Sequence, residues 1–160
     1  ASTDGSARLA DGSIMRLQLA PDGRLRAGVE QTIRVSVTEA AGAPARLEAY
    51  LGMPAHGVVT RLDGSVYVHL HPMGTITMAA QDAFATRDRG DTTNPGRLLP
   101  ADHSAHMQPR ADTMPSVIEF PYEFPRGGSY RLFIQVKKGG RVQTGAFALT
   151  VADSVVSRNE

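Results

Sequence analysis

The sequence predicts an all-β fold, an antiparallel β-sandwich formed by a single domain. Three observations carry this. Short stretches alternate apolar with polar residues, Gly- and Pro-centred turn signals separate them, and stretches with helical period are scarce. At 160 residues the chain is long enough for one proper hydrophobic core.

The elements follow in order. Residues 1–12 are polar and rich in Gly, Ser and Asp, which reads as a flexible lead-in. From Ser13 to Leu19, Met15, Leu17 and Leu19 alternate with Ile14, Arg16 and Gln18, a strand closed by the turn signal Pro21-Asp22-Gly23. Thr32 to Thr38 alternates cleanly, with Ile33, Val35 and Val37 on one face, and is a half-buried strand. A loop of small residues, Ala40 to Pro44, ends it. Ser116 to Tyr122 is a strand whose Pro121 suits an edge or a bulge. Ser129 to Val136 places Tyr130, Leu132, Ile134 and Val136 on one face. It turns at Lys137-Lys138-Gly139-Gly140 into the return strand Arg141 to Val151. About seven short strands of this kind indicate a sandwich of immunoglobulin-like type spanning 13–153, with 154–160 as a tail. A long loop excursion, about 79–116, interrupts it. Thr77 to Phe84 suggests a helical turn or two at its start, and a loop of this length in a compact domain is ordinarily functional or disordered.

The chemistry concentrates between Tyr50 and Thr75, which holds three of the five histidines. Asp63-Gly64, flanked by apolar alternation, signals a tight hairpin turn. With those two residues at its centre, Thr60 faces Tyr67, Val58 faces His69 and His56 faces His71. Side chains alternate with period two, so His56, His69 and His71 project from one side of the ribbon. Val59, Val66, Val68 and Leu70 take the other side, which should be core. The histidine side should then look outward or into a covered groove. The register is the critical assumption, because a one-residue slip sends His56 to the opposite face.

Three neutral imidazoles suit copper, zinc or nickel, and Cu(II) heads the affinity order for such a set. Thioethers ligate Cu(I), and Met53 and Met73 flank the cluster, which favours copper over zinc. Met15 reads as core. The excursion carries His103, His106 and Met107 in one short run, and later Met114. That run reads either as a second site or lid completing the first, or as a plain polar loop. The plain alternative for the whole cluster is a set of histidines bonded to backbone.

Other classes find little support. The net charge of +1 and the lack of a concentrated basic patch argue against a nucleic-acid partner. No run of 18 apolar residues is present, so no helical membrane span is expected. With no cysteine, disulfides, thiolate nucleophiles and a blue-copper centre are excluded, while the compartment stays open. Phosphate-loop, dinucleotide and nucleophile-elbow motifs are absent. Glu119 and Glu123 read as belonging to a solvated face. The chain starts at Ala1 with no signal-like apolar region, as expected of a mature or trimmed product that has lost a signal peptide or an anchor.

The pattern Y-L-G-M-x-x-H-x-V-V-x-x-x-D-G-x-V-Y-V-H-L-H-P, from Tyr50 to Pro72, resembles secreted bacterial immunoglobulin-like domains associated with copper and heavy-metal handling. The segment from Phe120 to Val151 looks like the C-terminal hairpin of the same group, and together the two cover about half the chain. The resemblance implies a periplasmic or extracellular sandwich in which His56, His69 and His71 are metal ligands. The expected function is copper sequestration, or delivery to a periplasmic or membrane copper-handling partner, without turnover. The alternatives are an accessory module of a larger envelope protein and, third, a zinc-dependent hydrolase. Metal affinity should fall as the pH drops through the histidine range near ~6.5, since protonated imidazole cannot ligate.

Overall fold

A computed structural model of the protein describes residues 1–19, 23–72 and 113–153. Every regular element among them is a strand: β1 (Ser6–Arg8), β2 (Ile14–Gln18), β3 (Leu25–Arg26), β4 (Glu30–Thr38), β5 (His56–Arg61), β6 (Tyr67–Leu70), β7 (Val117–Glu123), β8 (Gly128–Lys138) and β9 (Arg141–Ala152). They form two sheets, ordered β1-β2-β4-β7 and β3-β9-β8-β5-β6. The result is an all-β sandwich, antiparallel throughout its main ladders, with β3 joining β9 in parallel. No helix among the described residues is long and apolar enough to cross a membrane.

Alternation explains the core. On β4, Ile33, Val35 and Val37 face inward, and Ile118, Phe120 and Tyr122 do so on β7. Opposite them, Tyr130, Leu132, Ile134 and Val136 of β8 meet Phe147, Leu149 and Val151 of β9. Met15 is fully buried, as its place in the alternation of β2 predicts. Each buried side chain of this size contributes about 1.5–3 kcal/mol, so the facing rows are the main source of stability. Pro121 sits on β7, an edge strand, where a missing N–H donor breaks no ladder bond. Tyr130 donates its hydroxyl to the Arg126 carbonyl oxygen at 2.7 Å, tying the entry of β8 to the preceding turn. A tyrosine bonded back in this way is a feature that immunoglobulin-type sandwiches also have.

Two elements depart from the sequence reading. Within the lead-in expected to be flexible, β1 pairs with β2 and Ser2 bridges to Phe147. Three residues carry too little alternation to announce a strand, and the neighbouring sheet edges supply the pairing. The two-residue β3 is equally silent in sequence. The excursion expected at 79–116, with its suggested helical turns, falls almost wholly outside the described residues. The expected tail at 154–160 falls outside them too.

At one end of the sandwich Lys138 holds the sheets together. Its ammonium donates to Asp11 at 2.8 Å, to the Ser13 hydroxyl at 3.0 Å and to Glu39 at 2.7 Å. Burial alone would raise the Asp11 pKa, but its bonds from Lys138 and Ser13 hold the carboxyl down at about 2. The hydrogen bonds from Asp11 and Glu39 in turn raise the pKa of Lys138.

Candidate metal centre

The β5–β6 hairpin lies at the margin of the five-stranded sheet, with β6 as its edge strand. Its pairs are Gly57 with Leu70, Val58 with His69, Val59 with Val68 and Thr60 with Tyr67. The turn differs from the expected one in detail. The Gly64 N–H donates to the Arg61 carbonyl, and Arg61 N–H to the Val66 carbonyl, each at 2.9 Å. The turn is thus centred on Leu62-Asp63, and Gly64 follows in the left-handed region at φ 76°. Asp63 accepts from both the N–H and hydroxyl of Ser65 and pairs with Arg61, which stabilises the wider loop. The wider loop leaves the strand register where a two-residue turn would put it. Only a shift of the register would have moved His56 to the other face.

The hairpin therefore has two faces. Val59 and Leu70 are fully buried in the core, and Gly57 sits where an added Cβ would come within 3.1 Å of both Ile134 and Leu70. That close approach requires glycine. It seats the strand against β8 immediately beside His56. The other face carries His56, His69 and His71. His56 begins β5, and His71 lies one step past the last paired positions.

The histidine face is covered, not solvated. His56 is 5 % exposed and His71 is 0 % exposed, while His69 is half-buried. Part of the cover has an identifiable origin. Segment 47–49 runs along β8 through the Glu48–Lys137 bridge, and the chain then leaves the sheet in a tight turn before β5 begins. Tyr50 and Met53 exchange N–H···O=C bonds of 2.8 and 3.2 Å across Leu51 and Gly52, at φ 51° and 79°. Both central residues are left-handed, the geometry of a type I′ turn. Leu51 is the one non-glycine among the described residues at positive φ, where a side chain costs about 1–2 kcal/mol. Its strain sits beside the site. The Tyr50 ring packs edge-on to His56 at 5.1 Å, and the Tyr50 carbonyl accepts from His56 Nε2–H at 2.9 Å.

That bond decides the chemistry of His56. With Nε2 carrying the proton, Nδ1 keeps its lone pair, and Nδ1 has no partner. Both ring nitrogens of His71 are also buried and unpartnered. The three rings lie with centroids 4.7–5.4 Å apart. One nitrogen from each lies within 4.8 Å of the others, and no carboxylate among the described residues joins them. Three nitrogens at 2.0–2.1 Å from one ion stand about 3.4 Å apart. Closing onto an ion thus takes a contraction of up to about 1.4 Å, within reach of side-chain rotation.

Burial favours the neutral form of His56 and His71. Burial pushes the His71 pKa down to about 4, helped by the neighbouring His56 and His69. Burial also lowers that of His56, opposed by the Tyr50 carbonyl and reinforced by His69. Neutral imidazole is the form that ligates metal.

The other residues singled out in the sequence fall differently. Met53 is half-buried in the Tyr50–Met53 turn, three residues before His56. Met73, His103, His106 and Met107 lie outside the described residues. Met114 bridges Leu47 and packs against the core. Glu119 pairs with Arg34 across β4 and β7 on the exposed face, where Arg34 Nε donates at 2.8 Å. The sequence reading missed the Tyr50 carbonyl, and the only available signal was Gly52.

The fold and this site define a class: a β-sandwich with a largely covered cluster of three histidines on one edge hairpin. Residues 8–97 and 99–153 match a family described as a domain of unknown function (DUF8832), and the chain belongs to that family. Among solved structures it is similar to a DUF4426 family protein from Pseudomonas aeruginosa. That likeness is at 16 % identity and a TM-score of 0.45, over 92 % of this chain and 96 % of the other. No curated protein matches the sequence.

Proposed function

We propose that the protein binds a copper ion through His56, His69 and His71, in an extracytoplasmic setting, to sequester it or deliver it to a partner. The observation that carries this reading is the set of three unpartnered imidazole nitrogens at His56 and His71. Leaving a buried polar group unmatched costs about 1–3 kcal/mol, and native interiors rarely tolerate several together without a ligand or solvent partner. A metal ion would take up the lone pair of His56 Nδ1 and that of one His71 nitrogen at once. The Tyr50 carbonyl supports the reading further. Metal-bound histidine characteristically donates its other ring N–H to a carbonyl or carboxylate, which fixes tautomer and orientation.

Copper is favoured over zinc by the all-nitrogen donor set and the affinity order. Met53 is a candidate fourth ligand by its position in the turn beside His56. Holding is favoured over turnover because no carboxylate among the described residues joins the histidines to act as a general base.

The test is a competition titration of the metal-free protein with Cu(I), Cu(II) and Zn(II), repeated on the His69→Ala/His71→Ala variant. One-to-one copper binding that is lost in the variant is the expected result. Binding that the variant retains, or no binding, refutes the site and leaves an accessory module of a larger envelope protein as the working reading. Zinc binding tighter than copper binding refutes the choice of ion and restores the hydrolase for testing.

A further inference from the structure

The three histidines are neutral donors, and the sheet around them adds no negative charge. Residues paired across a ladder share a face, so Gln135 of β8 stands beside His56, and Val58, flanked by Phe133, stands beside His69. The next residues along this face of β8 are Arg131 and Lys137, both cations. No carboxylate lies on this face of β5, β6, β8 or β9. Glu48, which bridges to β8 at Lys137, is already engaged. It accepts from the Gly140 N–H at 2.8 Å and pairs with Lys137 at 3.5 Å.

Enclosure and coordination number act in the same direction. His56 and His71 are buried, and their chain neighbours Ala55 and Leu70 are fully buried. His69 and His71, two steps apart beside one another, and His56 across the ribbon supply three corners around one point. Three nitrogens complete the shell of a three-coordinate ion. They leave incomplete the shell of Cu(II), which takes four or more donors in a square-planar or tetragonal set.

We propose that the site selects the monovalent ion, Cu(I), over Cu(II) and other divalent ions. This rests on the copper reading above and narrows it to one charge state. The Born cost of enclosing an ion rises with the square of its charge, so a dication costs about four times as much as a monocation to bring in. Divalent sites commonly offset that cost with carboxylate or thiolate ligands, and this triad has neither. The cations that follow on the same face add to the preference for lower charge. The affinity order that places Cu(II) above zinc compares ions of equal charge and leaves this choice open.

The experiment is a pair of competition titrations of the metal-free protein, Cu(I) against bicinchoninate without oxygen and Cu(II) against nitrilotriacetate. Cu(I) should bind at least a hundredfold more tightly. At 59 mV per decade, that raises the potential of the bound ion above that of the free ion by about 120 mV. The wild-type ratio decides the matter by itself, and two variants test its cause. His69→Glu and His69→Gln place a charged and a neutral oxygen donor of the same length at the half-buried position. The Cu(I) preference should be at least tenfold smaller in the Glu variant than in the Gln variant. Cu(II) bound as tightly as Cu(I) by the wild type, or equal preference in the two variants, overturns the proposal and leaves the copper site standing. Failure of the wild type to bind either ion overturns the copper reading with it.

Discussion

The Lys138 cluster and the histidine cluster are both polar groups enclosed by the same sandwich, and they are treated in opposite ways. Lys138, on β8, donates to Asp11, Ser13 and Glu39, acceptors that all flank strands of the facing sheet. Among the described residues the histidines have one bond to the chain, from His56 to Tyr50, and three buried nitrogens with none. The fold supplies partners where the polar group joins layers. It withholds them on the edge hairpin, where burial lowers both pKa values and leaves lone pairs converging. A polar cluster closed by its own chain serves stability, whereas one left open is costly and keeps its lone pairs free.

The largest expected effect opposes the two clusters directly. Copper at a thousandfold excess over its dissociation constant should stabilise the protein by about 4 kcal/mol. This rise in denaturation midpoint should disappear in His69→Ala/His71→Ala and persist in Lys138→Met. If the histidine variant keeps the full metal-induced rise, the contrast between the clusters fails.

Next in size is the closed cluster itself. Lys138→Met should cost about 2 kcal/mol in urea unfolding, because Asp11 and Glu39 lose a charge-assisted partner. The Asp11 carboxyl, ordinarily near 3.8, is held at about 2 in the folded state. Its contribution is therefore complete above the unfolded value and is lost as pH falls from about 4 towards 2. In Lys138→Met this acid-dependent loss should shrink.

The open cluster should respond with the reverse sign. In the metal-free protein, His71→Leu should gain about 1–2 kcal/mol, because it removes two unpartnered buried nitrogens from the folded state. Below the ordinary histidine value near 6.5, the unfolded chain takes up a proton that folded His71 refuses down to about pH 4. Stability of the metal-free wild type should thus fall across that window, and more shallowly in the variant. A loss of stability in His71→Leu at pH 7 would show the histidine to be a structural member of the fold.

The smallest effect sharpens the geometry of the site. Leu51→Gly should gain about 0.5 kcal/mol, the relief of left-handed strain less the entropy of added backbone freedom. The turn and the Tyr50 carbonyl should be preserved, so copper affinity should stay within twofold. A large drop in affinity would assign the Leu51 side chain a part in covering the ion.

Much of the architecture is legible from alternation alone, because period-two patterns report which face is buried. Ile33, Val35 and Val37, and Tyr130, Leu132, Ile134 and Val136, occupy the positions their pattern assigns. The hairpin pairing was legible too, even though the turn centre was misplaced by one residue. Asp63-Gly64 marks a reversal, and the valines around it pin the register. The short β1 and β3 were not legible, since strands of two or three residues exist only because a sheet edge is there to pair them.

By itself the sequence determined that this is a sandwich of short strands and that three histidines share one face of one hairpin. These follow from local rules, the alternation of side chains and the conformations that glycine permits. Only the tertiary structure decided that the histidine face is enclosed, that His56 is locked with Nδ1 free, and that His71 is neutral down to about pH 4. Those properties depend on the Tyr50–Met53 turn folding out of the line of β5. Burial, and the hydrogen bonds that burial makes obligatory, are set by what lies across space and not by what is adjacent in the chain.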